Sequence, residues 1–99
     1  MIRLALVLAT SFTGILHAAK TFDATPPDGV TIRRDLTFLA PDREEKLDLY
    51  QPSKRGGEPA PAVVIIHGGG WTSGDKARER EFVTGTTLAK EGYVAISIN

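Results

Sequence analysis

The sequence predicts an α/β fold built on a mainly parallel sheet, and three stretches carry that prediction. Val63–Ile66 is apolar at every position, the pattern of a strand buried on both faces. It runs into three consecutive glycines, Gly68-Gly69-Gly70, and a helical pattern follows over Lys76 to about Lys90. Tyr93–Ile98 is then a second apolar run. Strand, helix and strand in that order form a βαβ unit, whose strands are parallel and whose crossover is right-handed.

Length and charge narrow the function classes. A chain of 99 residues holds at most one small domain. Twelve basic residues balance 12 acidic ones. A neutral chain gives no electrostatic reason for nucleic acid or an anionic membrane as partner. There is no cysteine, so no disulfide and no cysteine-linked lipid is expected.

The first 19 residues have the three-part pattern of a secretory signal peptide. Arg3 supplies the basic region, Leu4–Leu16 is mostly apolar, and Ala18 and Ala19 are small. The apolar run is shorter than the ~20 residues of a membrane span. Removal after Ala18 or Ala19 takes Arg3 away, so the basic count falls from 12 to 11 against 12 acids. The expected product is exported to the periplasm or beyond, with no membrane anchor. Residues 20–29 contain Pro26-Pro27-Asp28-Gly29 and read as a linker or extended arm with a turn.

From Val30 the chain reads as folded. Val30, Ile32, Leu36 and Phe38 alternate with polar residues, and only Arg34 interrupts the phase. Period two means a half-exposed strand. Ala40–Glu44 is a turn, and Lys46–Tyr50 alternates again, with Leu47 and Leu49 opposite Lys46, Asp48 and Tyr50. The pair predicts an antiparallel hairpin ended by Pro52, and Ser53–Pro61 is a polar Gly/Pro loop. In the helical segment Ala77, Phe82, Thr86 and Ala89 lie near one face, with Tyr93 beyond. Ser73 or Asp75 is placed to cap its N-terminus. Gly85 costs about 1 kcal/mol relative to alanine, which marks a weak or tightly packed centre. Gly92 is placed to stop the helix in the left-handed conformation.

Glycines between a strand and a helix invite phosphate readings, and both fall short. A P-loop requires lysine directly after its second glycine, but Asp75 follows Gly74. A dinucleotide fingerprint requires a third glycine, where Ser73 stands. The remaining chemistry is an oxyanion hole. Acyl transfer places negative charge on the former carbonyl oxygen, and fixed backbone N–H donors stabilise it. Loss of one such donor costs ~10²–10³ in rate. Glycines suit this work because no Cβ obstructs the approach.

His67-Gly68-Gly69-Gly70-Trp71 resembles the oxyanion motif that α/β-hydrolase esterases and lipases carry after their third strand. Residues 46–52, 61–76 and 92–99 also look like the start of that fold, similar to secreted bacterial esterases of the hormone-sensitive-lipase and feruloyl or acetylxylan esterase type. The resemblance implies that the N–H groups of Gly69 and Gly70 are the oxyanion donors. His67 and Gly68 would support the loop, and Trp71 would either rim the acyl pocket or pack beneath it. It implies a small ester substrate and no cofactor. His67 has no cysteine and, once the export segment is gone, no second histidine near it, so no metal is expected. Asp75 is expected to be a helix cap, not a catalytic acid.

The resemblance also implies that the Tyr93–Ile98 strand lies between the hairpin and Val63–Ile66. The Gly-x-Ser-x-Gly nucleophile and its acidic and histidine partners do not occur within these 99 residues. The expectation is therefore an N-terminal part of the hydrolase domain over residues 30–99, with an open, aggregation-prone edge at Val63–Ile66. A non-catalytic binding protein of the same fold, a peptidase, an arylformamidase and a small exported binding module are the alternatives. The 99-residue chain alone should not hydrolyse p-nitrophenyl acetate above background in a spectrophotometric assay, whereas a chain extended through the triad should.

Overall fold

The structure, a computed structural model, describes Phe22 and residues 24–99. The expected export segment over residues 1–19 lies outside the described residues, as do Lys20, Thr21 and Asp23 of the arm. Five elements follow in order: β1 (Val30–Thr37), β2 (Lys46–Pro52), β3 (Ala62–Ile66), α1 (Glu79–Lys90) and β4 (Val94–Ile98). They make one mixed sheet in the order β1-β2-β4-β3. β1 pairs with β2 and β2 with β4 antiparallel, while β3 and β4 run parallel. The hairpin, the βαβ unit and the inserted position of β4 agree with the sequence reading. β2 extends through Pro52, which pairs with Val30, because an end residue of a strand can do without its N–H.

Arg34, where the alternation of β1 breaks, marks a β-bulge. Arg33 pairs with Leu49 and Leu36 with Leu47, so Arg34 and Asp35 together oppose the single residue Asp48. Asp35 takes φ 55°, the left-handed region, at that point. Its N–H donates to Asp48 Oδ1 at 2.9 Å.

The buried face of the sheet is the one with the polar phase of β2. Tyr50 and Asp48 are wholly buried, and their register partners on β4 are Ala95 and Ser97. α1 packs on this face through Phe82, Gly85, Thr86 and Ala89. Gly85 sits over Tyr50 so closely that a Cβ there would lie 2.6 Å from two ring carbons. The tyrosine ring also meets Phe82 edge-on at 6.5 Å, and Phe82 meets Phe22 at 5.1 Å. Phe22, within the expected arm, thus belongs to the core, and its N–H donates to Ala77 O at 2.8 Å.

Two expectations are corrected. β3 is not buried on both faces: Val64 is 55% exposed and Ile66 76%. Both stand on the face opposite α1, together with Leu47, Leu49, Ile96 and Ile98, and no element among the described residues covers it. Helix α1 starts at Glu79, not Lys76, with Arg78 as an N-cap that makes no side-chain cap bond. Residues 76 and 77 are held in non-helical contacts that compete with the first turn. The other end behaves as read. Gly92 takes φ 90°, and the N–H groups of Gly92 and Tyr93 donate to Ala89 O and Leu88 O, the paired bonds of a Schellman stop.

Gly85→Ala should destabilise the intact protein. Overpacking against Tyr50 costs ~1–3 kcal/mol, which outweighs the ~1 kcal/mol gain in helix propensity. Tyr50→Leu in the same chain should relieve the clash, so the double mutant's unfolding free energy in urea should lie above that expected from the sum of the single effects by at least ~0.5 kcal/mol.

Candidate functional site

Residues 67–74 leave the C-terminal end of β3, at the carboxyl end of the two parallel strands, the usual place for a site in such sheets. Ile66–Trp71 and Ser73 line a depression of about 350 Å³. Trp71 projects fully into solvent at its edge.

Two carbonyls determine how the loop is arranged. Gly69 O accepts from the N–H groups of Thr72 and Ser73, both at 3.2 Å. The hydroxyls of Thr72 and Ser73 also donate to it, at 3.2 and 3.3 Å. Gly68 O accepts from His67 Nδ1–H at 2.9 Å. All the described peptide bonds are trans, and in a trans peptide the C=O and the next N–H point in opposite directions. Holding Gly68 O therefore turns the Gly69 N–H away from the His67 ring. Holding Gly69 O likewise turns the Gly70 N–H away from the Thr72–Ser73 turn. Neither N–H donates to any partner among the described residues.

Glycine is required at only some of these positions. A Cβ on Gly69, at φ 144°, would lie 1.6 Å from Ser73 O. One on Gly74, at φ 117°, would lie 2.2 Å from His67 Nδ1 and 2.3 Å from Gly68 O. The His67 ring is thus clamped between Gly68 and Gly74. A Cβ on Gly68 or Gly70 would meet nothing within 4 Å. These two glycines keep the approach to the loop clear.

Asp75 is neither a helix cap nor part of the glycine site. Its Oδ1 accepts from Ala77 N–H at 2.7 Å and its Oδ2 from Asn99 Nδ2 at 3.3 Å. It closes a local turn four residues before α1, because residues 76 and 77 are tied elsewhere. Lys76 N–H donates to Asn99 Oδ1 at 2.8 Å, and Ser97 Oγ–H donates to Lys76 O at 2.9 Å.

The sequence reading missed the charge cluster that holds the residue after the loop, Lys76. Lys76 Nζ lies 2.7 Å from both Asp48 Oδ1 and Asp35 Oδ1. Arg34 Nη1 is 3.5 Å from Asp48 Oδ2. Two cations thus face two carboxylates. Burial on its own would lower the Lys76 pKa, but the hydrogen bonds and charges of Asp35 and Asp48 together raise it. The hydrogen bond from Lys76 is the main reason that the exposed Asp35 carboxyl is held below its ordinary value. The available signal was polarity inside apolar strands, namely Asp48 between two leucines and Ser97 between two isoleucines.

Gly69→Ala and Gly70→Ala should separate. The first forces Ser73 aside and should displace the Thr72 and Ser73 amide resonances in an NMR spectrum. The second has room and should leave those resonances in place, at a backbone cost of ~1–2 kcal/mol for an alanine at φ 61°.

No curated protein and no solved structure matches the chain significantly. The BD-FAE family model matches residues 47–99, more than half of the chain, from the start of β2 through the glycine loop, α1 and β4. With that match over the segment that carries the site, the chain belongs to the BD-FAE family, which is associated with α/β-hydrolase-fold esterases.

Proposed function

We propose that these residues are the N-terminal part of an exported serine hydrolase that cleaves a small carboxylic ester. The observation that carries the reading is the pair of backbone donors at Gly69 and Gly70. Neither is used inside the loop, and each is oriented by a carbonyl that the loop holds. Family membership supports the reaction class. In this reading a serine beyond residue 99 attacks the ester carbonyl, and a histidine oriented by an acidic residue takes its proton. The tetrahedral oxygen then comes to lie against the Gly69 and Gly70 N–H groups. Those donors act on charge that grows as the intermediate forms, so they lower the barrier more than they tighten substrate binding.

His67 has a supporting role in this scheme. Its Nδ1–H is committed to Gly68 O, and its ring is enclosed by Gly74. It orients a donor and does not move a proton. Trp71 and Ile66, both exposed at the depression, offer apolar surface to the acyl or alcohol group.

The protein carrying this sequence through its nucleophile and histidine should hydrolyse p-nitrophenyl acetate and be labelled once, on serine, by a fluorescent alkylphosphonate. A full-length protein that is folded by circular dichroism yet neither turns over the ester nor takes the label would refute the reading.

A further inference from the structure

The glycine loop has two ends, and both are held on the same short stretch of β4. At the start, Ile66 pairs with Ile98 in the parallel ladder. At the far end the backbone of Lys76 is gripped on both sides. Its N–H goes to the Asn99 side chain, and its C=O receives the Ser97 hydroxyl. Its own side chain then runs across the sheet, away from β3, to Asp48 on β2 and to Asp35 in the bulge of β1. Lys76 is 4% exposed and Asp48 is wholly buried.

We propose that Lys76 is a positioning residue for the glycine loop. Its buried bond to Asp48 and its part-buried bond to Asp35 fix the far end of the segment on which the Gly69 and Gly70 N–H groups are carried. The inference rests on the reading of those groups as oxyanion donors. An apolar side chain of similar length would fill the same space, but dispersion contacts are not directional and would let the segment slide. An ammonium bonded at 2.7 Å to two carboxylates does not slide, because any displacement leaves Asp48 buried and underpaired. The bulge serves the same end. By placing Arg34 and Asp35 opposite Asp48, it brings a second carboxylate to Lys76 and a second cation to Asp48.

The test compares wild type, Lys76→Met and Asn99→Ala in the intact protein, with two readouts. The first is amide exchange at Thr72 and Ser73, whose N–H groups are bonded to Gly69 O, against exchange at Ile65 and Ile96 in the β3–β4 ladder. The second is ester hydrolysis per site titrated by an alkylphosphonate. Anchoring predicts that Lys76→Met speeds exchange at Thr72 and Ser73 at least ~tenfold more than in the ladder. It also predicts that kcat and kcat/KM fall together by ~10- to 100-fold while KM stays within about twofold, the pattern of misplaced transition-state donors. Asn99→Ala, at an exposed residue, should move both readouts in the same direction and supplies them if Lys76→Met does not fold. Equal acceleration in the loop and the ladder, or an unchanged kcat per titrated site with only a lower Tm, would overturn the proposal. A wild-type protein without ester hydrolysis would instead count against the esterase reading, and the exchange contrast would then decide the anchoring by itself.

Discussion

The buried ammonium of Lys76 is the interaction on which the arrangement depends. It joins the bulge of β1, the centre of β2 and the end of the glycine loop at one point, while the lysine backbone is fixed to the β4 end. Removing such ions from water costs several kcal/mol each, and breaking a buried pair typically costs ~3–5 kcal/mol. Exposed pairs are worth ~0–1 kcal/mol. Asp48, wholly buried, and Lys76, 4% exposed, are nearer the first kind. An interaction of that kind adds little net stability compared with an apolar filling. What it adds is a penalty for every arrangement in which the segments are out of place.

Which parts of this were legible in the sequence follows from what each signal can report. Apolar runs and alternation report local geometry, so the hairpin, both βαβ strands and the body of the helix were readable. The start of the helix was not. Asp75 carries a capping residue's chemistry, but Asn99 and Ser97 hold residues 75 and 76, and those partners are more than 20 positions away. Period two divides a strand into two faces without saying which is buried. In β2 the leucines look like the inner face. Helix α1 instead lies on the Asp48–Tyr50 side, where Gly85, Ala89 and Ala95 leave room for a tyrosine ring. The position of the glycine loop was legible from Gly68-Gly69-Gly70. The orientation of its N–H groups was not, since it depends on which carbonyls Thr72, Ser73 and His67 hold.

The two faces of the sheet meet different needs. On the α1 side, polar and aromatic groups pack around Tyr50, whose hydroxyl is pushed up to about 12 by burial, then by the charge of Asp48. On the other side Leu49, Ile96 and Val64 form one row across the strands, and Leu47, Ile98 and Ile66 form another. A parallel βαβ sheet ordinarily carries cover on both faces. An apolar face of this regularity is suited to further helices, which is what the proposed larger hydrolase domain would supply.

The same local chemistry bears on the proposed choice of a transient anion over a resident one. A bound phosphate at a glycine loop draws on the positive end of the helix that follows. Here that end is displaced from the glycines by residues 75–78, and its first turn contains Glu79 and Glu81, which oppose an anion. The ammonium that could have compensated, Lys76, is turned inward onto two carboxylates. What the loop itself offers is two neutral N–H dipoles, held in direction by the carbonyls before them. Two such donors are weak attraction for a doubly charged ligand in water. They suit a single negative charge that forms only during reaction and only where the substrate has displaced solvent. In the proposed reading the loop serves a charge that appears and disappears, and the carboxylates around Lys76 keep its ammonium from turning the loop into an anion trap.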